Sequence, residues 1–227
     1  MNFWANHFPN SLLLGSWMIW AGILVVFYPY VRKNMPNRFS WLVALLLMTA
    51  LWTLHARLQG GTQDGMTYHL LGATLCTLIL GMPSVLFLAT FVAIIYTIVF
   101  HGVTDLTAVG LNMLITVLPA VLWTFLMLKM ARKYLPHHLF IFIFINAFFT
   151  AAIGMMLSGC LTIAVLDYFD IYSHETLWQN AFGVLFLLSW GDAFFTGLMT
   201  AIFIALAPYL LTQYSDQIYL QKKEKLF

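Results

Sequence analysis

The chain has 227 residues, of which 62% are hydrophobic and 8% are charged, and its formal net charge is +2. Soluble domains carry roughly a quarter charged residues, so a water-soluble fold of this length could not hide so much apolar surface, whereas a bilayer can solvate it. The composition excludes a soluble domain and predicts an all-α, polytopic membrane protein in which residues 1–227 form a single integral membrane domain.

Apolar segments that could cross a bilayer recur along the whole chain, because a helical span needs about 20 mostly apolar residues. In chain order the seven predicted spans are Ser11–Tyr30, Ser40–His55, Tyr68–Gly81, Ser84–His101, Val109–Lys129, Leu139–Leu166 and Ala181–Leu211. The sixth is long enough for one tilted helix or for a helix with a re-entrant end. The eight tryptophans fall mostly near the predicted span ends, as an interfacial aromatic belt requires.

Basic residues form three clusters that seven spans would place on one face of the membrane. They follow the first, fifth and seventh spans: Arg32, Lys33 and Arg38; Lys129, Arg132 and Lys133; Lys222, Lys223 and Lys225. The positive-inside rule makes that face cytoplasmic, so we predict the N-terminus outside and the C-terminus inside. The opposite face carries one basic residue, Arg57, and these acidic residues: Asp64, Asp105, Asp167, Asp170 and Glu175.

Most of the histidines map to or near the predicted outer face: His7, His55, His69, His101 and His174. Imidazole and carboxylate form the ligand set suited to divalent transition metals. The alternative is that these histidines are tolerated at helix ends and bind nothing. Asp192, near the outer start of the last span, is predicted either to orient a ligand histidine or to accept N–H groups at a helix start.

Two short segments combine glycine with polar side chains at membrane depth. His69–Thr74 has the sequence HLLGAT and opens the third span, and Thr107–Asn112 has the sequence TAVGLN and leads into the fifth. Glycine lets another backbone approach closely, and an amide such as that of Asn112 is costly there unless it faces protein or a cavity. In this order and spacing, the pair resembles the substrate-capture subunits of energy-coupling factor transporters for cobalt and nickel, the CbiM and NikM type.

The resemblance implies a membrane subunit that captures a divalent metal such as cobalt or nickel at the outer face, for uptake across a bacterial cytoplasmic membrane. It implies partners on separate chains, a transmembrane coupling subunit and a pair of cytoplasmic ATPases. The chain itself lacks the nucleotide-binding patterns GxxxxGK[ST] and GxGxxG. We therefore expect a transport subunit that is not an enzyme, with no cofactor of its own and no nucleic-acid partner.

The resemblance also implies a metal site where the N-terminal amine and a histidine at position two meet the histidine of the HLLGA segment. Transferred to this chain, it assigns the α-amine of Met1 and the ring of His69. The opening lacks the basic start of a cleavable signal peptide, so we expect Met1 to be the mature N-terminus. Position two is Asn2, whose amide oxygen is a poorer ligand for nickel or cobalt than imidazole. Further outer-face candidates are Asn112, His101 and Asp192.

The departure at position two leaves three interpretations open: a relocated metal site that uses His7, a different metal or substrate, or loss of metal capture.

Three other functions also remain. The chain could be a transport subunit for a non-metal solute with an aromatic-lined outer cavity, an intramembrane metalloenzyme, or a structural membrane protein without a ligand. The absence of HExxH or a comparable paired motif argues against the enzyme.

Overall fold

A computed structural model describes residues 2–3, 5–54 and 66–220, with the backbone alone described for residues 2, 3 and 66. Over these residues the regular secondary structure is helical apart from two short antiparallel strands, β1 (Asn2–Phe3) and β2 (Met66–Thr67). The predicted all-α class is confirmed, with a small strand pair that hydropathy did not predict. Several residues named above lie outside the described residues: Met1, His55, Arg57, Asp64, Lys222, Lys223 and Lys225.

Ten α-helices occur in the described part of the chain. They are α1 (Asn10–Lys33), α2 (Arg38–Thr53), α3 (Ala73–Leu80), α4 (Met82–Phe100), α5 (Val109–Asn112), α6 (Leu118–Tyr134), α7 (Leu139–Ile141), α8 (Thr150–Tyr168), α9 (Phe182–Leu206) and α10 (Asp216–Tyr219). The π-helical turns Met113–Val117 and Phe142–Phe149 join α5 to α6 and α7 to α8, and a third, Thr176–Ala181, precedes α9. Short 3-10 helices cover Ala5–His7, Val103–Ala108 and Pro208–Leu210.

Within the described residues, five helices are long and apolar enough to cross a membrane: Asn10–Lys33, Met82–Phe100, Val103–Tyr134, Leu139–Tyr168 and Thr176–Leu206. Helix α2 is apolar but has 16 residues, so the fold has five to six candidate spans. The prediction of a third spanning helix from Tyr68 is wrong. Helix α3 has eight residues, which rise about 12 Å against a hydrocarbon core of about 30 Å.

Helix α3 lies at the centre of the bundle, and every residue from Leu71 to Met82 is buried. The carbonyl groups near its C-terminal end accept hydrogen bonds from a distant segment. Thr212 N donates to the Ile79 carbonyl and Gln213 N to the Leu78 carbonyl, both over 3.2 Å. Irregular backbone is tolerated at membrane depth where protein surrounds it, which explains how a short helix and an extended lead-in are accommodated here.

The two ends of the bundle differ in charge. At one end, called here the His69 end, Ala5 N donates to Asp105 Oδ1 over 3.0 Å. At the opposite end, called the Arg132 end, Arg132 Nη2 donates to the Gln213 carbonyl over 2.8 Å. The basic residues that the structure describes lie on elements at the Arg132 end: Arg32, Lys33, Arg38, Lys129, Arg132 and Lys133.

Candidate functional site

The N-terminal strand brings the start of the chain to the segment that carries His69. Strand β1 pairs with β2 so that Asn2 lies opposite Thr67, which is two positions before His69. A second anchor follows at Ala5, whose N–H donates to the carboxylate of Asp105. Backbone pairing and a charge-assisted hydrogen bond together hold the N-terminal segment across the His69 end.

The His69 side chain is enclosed, with 1% exposure, and its Nδ1 lies 3.0 Å from the Leu70 carbonyl oxygen. A carbonyl only accepts hydrogen bonds, so the neutral ring carries its proton on Nδ1 and its lone pair on Nε2. Metal-ligating histidines are commonly oriented in this way. The rings of Trp52 and Tyr96 flank the imidazole, with centroid distances of 4.7 Å and 5.8 Å. Trp52, next to the end of α2, is fully buried and donates to the Leu71 carbonyl, so its ring packs inside the protein.

The turn after His69 requires glycine at position 72. Gly72 has a φ of +63°, and a Cβ at this position would lie 2.6 Å from Leu51 Cδ1. The Gly72 N–H donates to Asp192 Oδ1 over 2.9 Å. Asp192 lies within α9 and is 2% exposed, so it does not cap its own helix. Its carboxylate accepts instead from the N-cap residue of α3, which fixes the turn that follows His69.

The second motif packs against α1. A Cβ on Gly110 would lie 2.8 Å from the Cα and N atoms of Trp17, and Trp17 Nε1 donates to the Leu106 carbonyl over 2.9 Å. Asn112 is 4% exposed, and its backbone carbonyl accepts from Thr116 Oγ1 over 2.6 Å. The segment therefore allows close packing of two helices, and the Asn112 amide faces protein, as an amide at membrane depth requires.

The ring of His101 lies 5.4 Å from that of Tyr96, the residue that also flanks His69. Tyr96 thus contacts both imidazoles. Over the described ranges, no three histidine, cysteine or carboxylate side chains are grouped closely enough to hold a metal ion. Met1 lies outside those ranges and Asn2 is described by its backbone alone, so the predicted ligand set as a whole stays a prediction.

His7 packs in a different cluster from His69. Its ring lies 5.9 Å from that of Tyr172, which packs on an apolar cluster that includes Tyr68 and Phe8. Because neighbouring side chains of an extended segment point to opposite sides, Tyr68 faces this cluster while His69 faces the other way.

Three supporting residues of this region were not assigned a role from the sequence: Asp105, Trp52 and Tyr96. Each acts through a contact between elements that are distant in the chain. The only sequence signal was the position of Asp105 just before the TAVGLN segment.

The sequence model of the CbiM family, "Cobalt uptake substrate-specific transmembrane region", matches residues 5–210 of the chain. Two solved structures share the fold, described as a truncated transition metal transporter and a transition metal transporter. Each is 14% identical to this chain, with a TM-score of 0.73. The match to the truncated transporter covers 90% of this chain and 99% of that chain. The match to the other transporter covers 91% of this chain and 93% of that chain. No curated protein sequence matches the chain.

Proposed function

This chain belongs to the CbiM family of cobalt uptake substrate-specific transmembrane regions, and we propose that it captures a cobalt or nickel ion at the His69 end of the bundle. As a family member it is a multi-pass membrane component of transition-metal uptake and not an enzyme. The observation that carries the proposal is the strand pairing of Asn2 with Thr67, which brings the first residues beside the segment of His69.

The proposed ligands are the Nε2 atom of His69 and the α-amine of Met1, supplemented by backbone nitrogens of the N-terminal residues. Nitrogen donors of this kind suit cobalt and nickel. The carboxylate of Asp192 supports His69 indirectly, through its hydrogen bond to Gly72. Because Asn2 offers an amide oxygen in place of an imidazole, the site has one strong donor fewer than the family pattern implies.

His7 and His101 are the candidates for an additional ligand. His101 reaches the His69 region through the shared contact with Tyr96. His7 packs against Tyr172 in the neighbouring cluster, so its participation requires a rearrangement of the N-terminal segment. We therefore place His69 and the N-terminal amine at the centre of the site and treat both other histidines as secondary candidates.

The proposed orientation puts the His69 end outside and the Arg132 end inside the cell. Six basic residues lie at the Arg132 end in the described structure, and the positive-inside rule assigns such an end to the cytoplasm. In this proposal the chain crosses the bacterial cytoplasmic membrane seven times. The extended segment from Tyr68 to Gly72 and helix α3 together form one interrupted crossing, in place of the third spanning helix that the sequence predicted. Residues 1–227 form one integral membrane domain in this proposal.

The proposed partners are a transmembrane coupling subunit and cytoplasmic ATPases on separate chains. Family membership supports this arrangement, because the chain has no ATP-binding motif with which to drive uptake by itself. The Arg132 end, which faces the cytoplasm in the proposed orientation, is the end at which ATPases would couple to this subunit.

Titration of the purified protein with cobalt, nickel and zinc tests the proposal. His69→Ala should abolish saturable binding of cobalt and nickel, measured by calorimetry in detergent or nanodiscs. His137→Ala, two residues before α7 on the Arg132 end, is the matched control and should bind with unchanged affinity. If the His69→Ala protein binds as tightly as the wild type, the proposed site is wrong even though membership of the family stands.

A further inference from the structure

A groove lined by apolar side chains runs along the outside of the bundle between α2 and α4. It contains two cavities, one of ≈ 460 Å³ and one of ≈ 440 Å³. Leu45 of α2 and Phe91 of α4 line both cavities, so the cavities are adjacent parts of one depression. We call it the α2–α4 groove.

The α2–α4 groove follows α2 over its whole length. Its first cavity includes Arg38, the first residue of α2, and its second cavity includes Thr53, the last residue. The 16 residues of α2 rise about 24 Å. One leaflet contributes about 15 Å to a hydrocarbon core of about 30 Å. The groove is therefore long enough to hold a lipid chain that enters from the Arg132 end.

The walls of the groove consist of large apolar side chains that remain exposed. Four of them are between 44% and 60% exposed: Leu42, Leu46, Phe91 and Ile95. Helices that pack together in membranes use small residues, which let their backbones approach closely. Leucine and phenylalanine instead leave a channel between their side chains, and a flexible hydrocarbon chain can fill it. The groove thus fits a lipid chain better than another helix.

Positive charge lies at one end of the groove only. Arg38 lines the first cavity, and the other lining residues in the described part of the chain are uncharged. The Arg38 guanidinium forms no ion pair with a carboxylate of the described residues. Trp41 lies beside it in the same cavity, as is typical of the membrane interface. A cationic end followed by an apolar channel matches the charge distribution of an anionic phospholipid.

The end of α1 adds two cations beside the first cavity. The ring of Tyr28 lies 6.4 Å from that of Phe87, which lines this cavity. Arg32 follows Tyr28 by four residues, so it lies on the same face of α1, one turn closer to the end of the helix. Tyr28, Arg32 and Lys33 line a further cavity. Positive charge from two helices therefore gathers where the groove opens at the Arg132 end.

We propose that the α2–α4 groove binds an anionic phospholipid of the leaflet at the Arg132 end. The phosphate headgroup contacts Arg38, beside Arg32 and Lys33, and an acyl chain lies between α2 and α4. Basic pockets between membrane helices bind anionic headgroups in this way, and a guanidinium group donates charge-assisted hydrogen bonds to phosphate oxygens. The inference does not depend on metal capture, because none of these residues belongs to the proposed ligand set.

Native mass spectrometry of the delipidated full chain in detergent tests the headgroup contact. The probes are phosphatidylglycerol and phosphatidylcholine with the same acyl chains, and the wild type should bind phosphatidylglycerol at least tenfold more tightly. Arg38→Gln should raise the Kd for phosphatidylglycerol about fivefold, since one basic residue contributes about 1 kcal/mol to the attraction of anionic lipid. Arg38→Lys keeps the charge and should stay within twofold of the wild type. Lys129→Gln removes a cation of α6 at the same end and is the matched control, with unchanged affinity.

Groove-filling substitutions test the position of the acyl chain. Leu45→Trp, at the position that lines both cavities, should raise the Kd for phosphatidylglycerol at least tenfold and leave the melting temperature without added lipid unchanged. Thr49→Trp, one turn further along the groove, is a second variant with the same expected result. Leu198→Trp adds an indole at a position of α9 that is 62% exposed, and this control should bind like the wild type.

The outcomes separate the proposal from its alternatives. Equal affinity for the two lipids, or an equal effect of Arg38→Gln and Lys129→Gln, would overturn the headgroup site. Wild-type binding by both groove-filling variants would mean that the attraction is only electrostatic, and would overturn the acyl-chain site. If phosphatidylglycerol does not bind but Leu45→Trp prevents assembly with the coupling subunit, the groove is a protein interface and the proposal is wrong. Cobalt titration of the same wild-type sample tests the proposed function separately.

Discussion

The Gly72 N–H donates to Asp192 Oδ1 over 2.9 Å and thereby joins the turn after His69 to the interior of α9. Gly72 is the N-cap residue of α3, so the carboxylate also satisfies an N–H group at the start of a buried helix. A shift of α9 against α3 would move this turn, and with it the imidazole. The geometry of the candidate site therefore depends on the packing of the two helices.

Replacement of Asp192 by leucine should weaken both the fold and the site. The Gly72 N–H would be left buried without its acceptor, which costs about 1–3 kcal/mol of unfolding free energy. Loss of a group that supports a ligand typically lowers metal affinity roughly tenfold or more. Asp192→Asn keeps an acceptor oxygen and should retain most of both. Thermal unfolding and cobalt titration of the two variants provide the measurements, and equal behaviour of leucine and asparagine would contradict the role given to this hydrogen bond.

Gly72→Ala should destabilise the protein by about 2 kcal/mol or more. The left-handed conformation at φ +63° costs a residue with a Cβ about 1–2 kcal/mol, and the added atom would meet Leu51 Cδ1 at 2.6 Å. Gly183→Ala, where a Cβ meets nothing within 4 Å, is the control. The cost of Gly72→Ala should be smaller in a Leu51→Val background, because the clash is relieved there while the backbone strain persists. Denaturant unfolding in detergent measures all four variants.

Hydropathy located most of the helices because it measures how well a segment tolerates apolar surroundings. It failed for the segment from Tyr68 to Gly81, which is as apolar as a span but begins as extended chain. Tertiary contacts replace the helical hydrogen bonds there: the Leu71 carbonyl accepts from Trp52, and Asp192 accepts from the Gly72 N–H. Such contacts depend on how distant elements pack, so no local pattern predicts them.

The candidate site was only partly predictable for the same reason. His69 stood out because it opens the HLLGAT segment that carries the family resemblance, and Asp192 stood out because a carboxylate at membrane depth is costly without a partner. The hydrogen bond from the Gly72 N–H to Asp192, which connects the two residues, could not be predicted from the sequence, because it requires α3 and α9 to pack side by side. The pairing of Asn2 with Thr67 involves two-residue strands, which are too short to produce an alternating pattern.

Gly110→Ala should cost about 1–3 kcal/mol, the usual penalty for overpacking. A Cβ there would lie 2.8 Å from the Cα and N atoms of Trp17, and backbone atoms cannot move aside as a flexible side chain can. Helix α1 would have to shift away from α5. Gly22→Ala, on the exposed side of α1 with nothing within 4 Å of its Cβ, should leave stability unchanged or raise it by up to about 1 kcal/mol. Equal melting temperatures for the two variants would refute close packing of α1 on α5.

Asn2→His should strengthen metal binding, because it adds an imidazole at the position that pairs with Thr67. Imidazole nitrogen is a stronger donor to cobalt and nickel than an amide oxygen, and we expect affinity to rise at least tenfold, or about 1.4 kcal/mol. Asn6→His is the matched control, since it places the same group in the same N-terminal segment at a position not paired with β2. Calorimetric titration compares both variants with the wild type. An equal gain from both would mean that any added imidazole in the segment recruits metal, whereas no gain from Asn2→His would place the metal away from residue two.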